Sequence, residues 1–126
     1  LEDAIYIMLQ NKVGVLPVVD NDQISGIITD KDVFRAFLEI SGYGQAGIRI
    51  GLEVPDTPRV LEKIANLIAS ENLNIERTIV AHKNDTVLRV ELQVEGEIGI
   101  DRLKKVFVEA GFTVTEIAET EAKELD

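Results

Sequence analysis

Thr29 and Asp32 stand three residues apart where the apolar pattern changes period, and side chains of these types in that place can hold an anion or cap a helix. Ile24, Ile27 and Ile28 form a short β-rich run before them, and Val33, Phe34, Phe37 and Leu38 recur at helical spacing after them. Strand therefore becomes helix at Thr29. The first N–H groups of a helix have no partner within it, and the helix dipole favours negative charge, so a phosphate fits there beside the threonine hydroxyl. The Asp32 carboxylate can also accept from sugar hydroxyls. The same Thr-x-x-Asp spacing has the form of a capping box, with Asp in place of Glu or Gln, and serves equally in a protein that binds nothing.

Other chemistries find few parts. There is no cysteine, which removes disulfides, thiolate nucleophiles and thiolate-ligated metals together. His82 is the one histidine; it falls at the end of an expected strand beside a turn, where a solvated surface imidazole is the simple reading. No serine has an activating partner nearby in the sequence. Asp30 and Asp32 at a helix start read as dipole-compensating caps rather than metal ligands. Calcium is not supported by Asp20–Gln23, because Ile24 and Ser25 stand where an EF-hand needs a ligand and a glycine. Glu95-Gly-Glu97 reads as a solvated loop. The expectation is a protein with no catalytic residues, no metal and no cofactor.

Charge narrows the partners. The chain of 126 residues has a net charge of −10, from 13 basic and 23 acidic residues, and no region of it is basic. Wrapping a nucleic acid or docking on an anionic membrane needs clustered Lys and Arg, so neither partner is expected. No apolar run approaches the roughly 18 residues of a spanning helix, and no basic, apolar leader is present. A cytoplasmic location is expected.

The elements that must position Thr29 and Asp32 can be read on either side of them. Leu1, Ala4, Ile5, Met8 and Leu9 recur at helical spacing from the first residue, and Asp20–Gln23 separates two β-rich runs as a hairpin turn. Ser41–Gly47 carries three glycines in seven residues and interrupts every period, as a linker does. Beyond it Ile48, Ile50, Leu52 and Val54 alternate with polar residues or glycine; Val60 to Ile68 makes an amphipathic helix ending near Asn72; and strands follow at 74–82 and 86–94. In the last of these, Leu88, Val90, Leu92 and Val94 alternate with Arg89, Glu91 and Gln93, a sheet with one wet face. A helix from Ile100 stops at Gly111, and Phe112–Ile117 supplies a last strand. The order β-α-β-β-α-β predicts a ferredoxin-like unit, two helices on one face of a four-stranded antiparallel sheet. The organisation expected is α+β: an α-β-β-α piece at 1–41, a linker at 42–47, the βαββαβ unit at 48–117, and a charged, frayed tail at 118–126.

Residues 1 to about 40 resemble most of one CBS motif: an amphipathic helix, the Leu16-Pro-Val-Val-Asp20 strand, a turn, then Gly26-Ile-Ile-Thr-Asp-Lys-Asp32. CBS motifs pair to bind adenine nucleotides, and the resemblance implies that Thr29 and Asp32 contact phosphate and ribose. It also implies that Lys31 lies near a phosphate and that Val15 to Pro17 line the base pocket. Such motifs open with a strand and occur in tandem, so the chain resembles a piece of a longer protein whose first motif lies elsewhere. About 40 residues bury too little surface to stand alone.

Residues 46–117 resemble an ACT domain, a module that often binds amino acids or other small effectors at subunit interfaces. Pro55-Asp-Thr-Pro-Arg-Val-Leu61 is similar to that family's D-x-P-G-h-L loop, and Leu73-Asn-Ile75 to its h-N-I entry into the second strand. The resemblance implies an effector site at Asp56, Thr57, Arg59, Val60, Asn74 and Ile75. Arg59 departs from the usual glycine; its long side chain either blocks the site or supplies a cation for a carboxylate. CBS followed by ACT resembles the C-terminal part of bacterial acetoin-utilisation accessory proteins. The function this implies is non-catalytic regulation, with an adenine nucleotide as regulatory ligand at the first half and a small effector at the second. The alternative is an assembly module that binds no ligand. A homodimer is expected, because an unpaired half-motif leaves apolar surface uncovered and the sheet's wet face or edge offers a second contact.

Overall fold

The first apolar stripe winds into α1 (Glu2–Asn11), which turns Ala4, Ile5 and Met8 inward. It ends at Lys12, whose left-handed backbone (φ 51) lets its N–H and that of Val13 both reach the Met8 carbonyl. β1 (Val15–Asp20) and β2 (Gln23–Thr29) then form an antiparallel hairpin. Its two turn residues, Asn21 (φ 50) and Asp22 (φ 63), are both left-handed, as a tight hairpin turn that matches strand twist requires. α2 (Asp30–Ile40) follows directly. The computed structural model describes residues 1–125 and divides into two compact units, Leu1–Tyr43, with which Leu125 groups, and Gly44–Glu124.

In the first unit only Met8 and Val33 are buried among the described large apolar side chains. Leu16 and Ile28, paired across the hairpin, are half-buried on one of its faces. Tyr6, Leu9, Val15, Val19, Ile24, Ile27, Phe34, Phe37 and Ile40 are each at least half exposed. A unit this small with so little buried has little apolar burial of its own to hold it folded.

The second unit contains β3 (Gly47–Pro55), α3 (Val60–Ser70), β4 (Asn74–His82), β5 (Val87–Glu95), α4 (Ile100–Glu109) and β6 (Thr113–Thr120). The strands lie in the order β4-β5-β3-β6, every neighbouring pair antiparallel. This is the βαββαβ arrangement expected from the sequence. Ile48, Ile50, Leu52 and Val54 of β3 and Leu88, Val90, Leu92 and Val94 of β5 share one face. With Val60, Ile64 and Ile68 of α3 and Leu103 and Phe107 of α4 they make one core. α4 stops at Gly111, whose φ of 89 suits glycine, and the chain reverses as the Phe112 N–H bonds the Phe107 carbonyl.

Two details differ from expectation. Residues 118–120 are not tail: Ala118, Glu119 and Thr120 continue β6 opposite Arg49, Ile48 and Gly47, which also places Gly47 in a strand rather than in the linker. The charge of this stretch suggested fraying, but Thr120 is anchored, its hydroxyl donating to the Gln45 carbonyl and accepting from Gln93 Nε2. Gln93 is the second difference. Its place in the alternation puts it on the wet face, yet it is only 3% exposed, because Gln45 and Thr120 close over it.

Candidate ligand-binding site

Strand pairing assembles the outer face of the hairpin. Val15 is the direct partner of Thr29, and Pro17 of Ile27, so these four side chains share one face, opposite to that of Leu16 and Ile28. Val15 is 50% and Ile27 62% exposed. The face is thus an open apolar strip that ends at a hydroxyl and a helix start. Ile27 is the residue that sequence reasoning missed here; its place two residues before Thr29 was the available signal.

At the end of the strip the capping box is complete. The Asp32 N–H donates to Thr29 Oγ1 at 3.2 Å, and Asp32 Oδ2 accepts from the Thr29 N–H at 2.8 Å and from the Thr29 hydroxyl at 2.9 Å. These bonds to Thr29 hold the Asp32 carboxyl below the ordinary carboxylate range, with the Arg35 charge adding to the effect. Asp32 is therefore an anion presented at the surface, its Oδ1 left to accept from a further donor. The Thr29 hydroxyl proton is committed to Asp32 in this state, so donation to a phosphate requires it to turn away. Lys31 is exposed in the first turn of α2. Behind this corner an open cleft of about 400 Å³ lies between α1 and α2, lined by Ile5, Met8, Leu9, Val33 and Phe34 with Lys12 and Asp30 among its polar groups.

In the second unit the candidate residues fall into two separate groups. Asp56 follows β3, its N–H bonded to the Thr86 carbonyl at 2.9 Å and its Oδ2 3.5 Å from His82 Nδ1. Thr57 and Arg59 are exposed, and Val60 is buried in the core. Arg59 precedes α3 with a left-handed backbone (φ 71, ψ 2), keeping the conformation a glycine would adopt there. Asn74 and Ile75 pair with Glu95 and Val94, and Val94 pairs in turn with Ile48 at the start of β3. The loop at Asp56 joins the other end of that strand. At about 3.4 Å per residue the two groups stand roughly 20 Å or more apart within one chain, and they do not form one site. Among the described residues no group of three or more His, Asp or Glu side chains is placed to hold a metal, and no helix is long and apolar enough to cross a membrane.

Comparison with known proteins agrees with the first unit's geometry: residues 1–39 match the CBS domain family. CBS domains are in general regulatory, ligand-sensing modules rather than catalytic ones. A crystal structure of a protein from Bacteroides thetaiotaomicron is similar at 18% identity over 59% of this chain and 48% of that one, with a TM-score of 0.46. The match thus spans about half of that protein's length, and a likeness this faint says nothing of ligand or partner.

Proposed function

We propose that the chain is a cytoplasmic, non-catalytic regulatory module that senses an adenine nucleotide through its first unit. The observation that carries this reading is the alignment of Val15, Pro17, Ile27 and Thr29 on one open face ending at the Asp32 anion. An apolar strip suits a flat base, the free carboxylate oxygen suits ribose hydroxyls, and the start of α2 with Lys31 suits phosphate. A second CBS motif supplies the opposite wall. The second unit then acts as an ACT domain of the kind found in acetoin-utilisation accessory proteins, taking an amino acid or other small effector, with Arg59 as the cation for its carboxylate.

Thermal-shift measurement on the full-length natural protein with ATP, ADP and AMP tests the nucleotide reading, because a ligand that binds only the folded state raises its stability. An adenine nucleotide at millimolar concentration raises Tm, and Asp32→Ala abolishes the rise. No shift with any of the three sinks the reading and leaves assembly without ligand as the function.

A further inference from the structure

Gln45 and Gln93 each end in a carboxamide oxygen that is shut off from solvent, and no described residue donates to either. A buried acceptor without a donor is strongly disfavoured, and few survive in folded proteins. Two in one small cluster call for a donor. Turning the Gln93 amide over does not supply it. Gln93 Nε2 donates to Thr120 Oγ1 at 2.8 Å and to the Gln45 carbonyl at 3.3 Å, and the Thr120 hydroxyl donates to the same carbonyl at 2.9 Å. A reversed amide would set its oxygen against that carbonyl, acceptor against acceptor. The orientation is therefore fixed, and Gln93 Oε1 stays on the side of the amide away from both partners.

The backbone makes a place for this cluster. Gly47 has a φ of 149, and a Cβ there would strike the Val94 carbonyl and stand 2.9 Å from Gln93 Nε2. Any larger residue would displace the amide. The cluster also lies where the chain enters the second unit. The Gly44 carbonyl accepts from the Lys123 N–H at 2.8 Å, so Gly44 and Gln45 are tied to the chain at and beyond the end of β6 as well as to β5.

Charge and size decide which donor fits. Arg49 and Arg77 are the direct register partners of Gln93 on its two neighbouring strands, so positive charge already flanks the cluster on both sides. A metal or ammonium ion is repelled there. An anion offers the two oxygens nothing, since they can only accept. Gln93 is 3% exposed, which excludes a bulky organic donor. Water is small and neutral, and it carries two protons to give.

We propose that the second unit holds one internal water molecule, donating one proton to Gln93 Oε1 and the other to Gln45 Oε1. It completes a clasp of Gln45, Gln93 and Thr120 that fixes the chain at its entry into β3. The site owes nothing to the nucleotide or effector readings.

A high-resolution crystal structure of the full chain tests the site. The expected result is a well-ordered water about 3 Å from both oxygens. In solution, magnetisation transfer from water to the Gln93 side-chain amide protons gives a second reading. Gln45→Met, in urea denaturation, adds a test of sign, because it keeps the backbone carbonyl that Gln93 and Thr120 bond and drops only the side-chain acceptor. If a water joins the two oxygens, the substitution loosens it and lowers the folding equilibrium constant about two- to tenfold. If Gln45 Oε1 has no donor, the same substitution removes a buried, unpaired acceptor and raises stability. Unchanged or raised stability overturns the proposal. So does electron density that shows an arginine nitrogen or a metal ion against the two oxygens, or a water that reaches only one of them.

Discussion

Val15 and Thr29 are direct partners across the hairpin, so an exposed apolar side chain and a helix-capping hydroxyl stand on one face at adjacent positions. If that face receives a flat base, a carboxylate introduced there must be desolvated against the base and stands near the nucleotide's phosphates, which it repels. Val15→Asp is therefore expected to weaken adenine-nucleotide binding by about tenfold or more. Val15 is 50% exposed, so the fold survives the change. Calorimetric titration of the variant against the unchanged protein checks this, and equal affinities would remove the strip from the site.

Thr29 serves the fold whether or not it serves a ligand. Thr29→Ala removes the N-cap acceptor for the Asp32 N–H and is expected to cost about 1 kcal/mol in chemical denaturation. Thr29→Ser keeps the hydroxyl and is expected to stay within a few tenths of the unchanged protein. Loss of nucleotide affinity in the alanine variant with recovery in the serine variant would assign both the cap and the affinity to the hydroxyl, since both variants keep the same strand register.

The Asp32 carboxyl gives a pH dependence of definite sign. Its bonds from the Thr29 N–H and hydroxyl, with help from Arg35, favour the charged form and lower its pKa in the folded state below the unperturbed 3.8. A group with a depressed folded pKa contributes stability that is fully present above the unfolded value and is lost as pH falls through the folded one. Stability from this cap therefore persists at neutral pH and fades below about pH 4. Titration of the Asp32 carboxyl carbon by NMR is expected to give a midpoint under 3.8, moving upward in Thr29→Val. A midpoint at or above 3.8 would mean that the capping bonds do not persist in solution.

Much of this architecture is legible because it depends on neighbours a few residues away. The alternation of Leu88, Val90, Leu92 and Val94 fixes which face of β5 is buried, Gly111 marks the end of α4, and Thr29 with Asp32 marks the start of α2. What local pattern could not reveal depends on residues distant in sequence. Gln93 reads as a wet-face residue until Thr120 and Gln45, 27 and 48 positions away, close over it. The separation of Asp56–Arg59 from Asn74–Ile75 was likewise hidden, because it follows from how β3 and β4 each align against β5, the strand between them. The hairpin face needed register as well as pattern: alternation puts Ile27 with Thr29, but only the pairing brings Val15 and Pro17 beside them.

Gln93 should behave as a buried polar hub. Its Nε2 donates to Thr120 Oγ1 at 2.8 Å and to the Gln45 carbonyl at 3.3 Å, which ties the segment before β3 to the end of β6. Gln93→Ala is expected to cost about 1–3 kcal/mol in urea denaturation, because it removes both Nε2 bonds, leaving only the Thr120–Gln45 bond to join the two segments. Thr120→Val should cost less than this, and the double substitution less than the sum of the two, since each removes the same contact. Strict additivity would show that the two side chains act independently.

Arg59 supplies the sharpest test of the second unit's loop. An L-residue in the left-handed region is disfavoured by roughly 1–2 kcal/mol relative to its ordinary conformations, and Arg59 sits there at φ 71. Glycine meets no such clash but loses more freedom on folding, about 0.5–1 kcal/mol in the opposite direction. The balance predicts that Arg59→Gly leaves stability unchanged or raises it by up to about 1 kcal/mol. The same substitution removes the guanidinium from the proposed effector site, so any carboxylate effector should bind more weakly while the fold is as stable or more so. Denaturation and titration on the one variant read both quantities. A loss of stability would show that the guanidinium makes contacts in solution that outweigh the backbone strain, and tighter effector binding would show that Arg59 blocks the site rather than serving it.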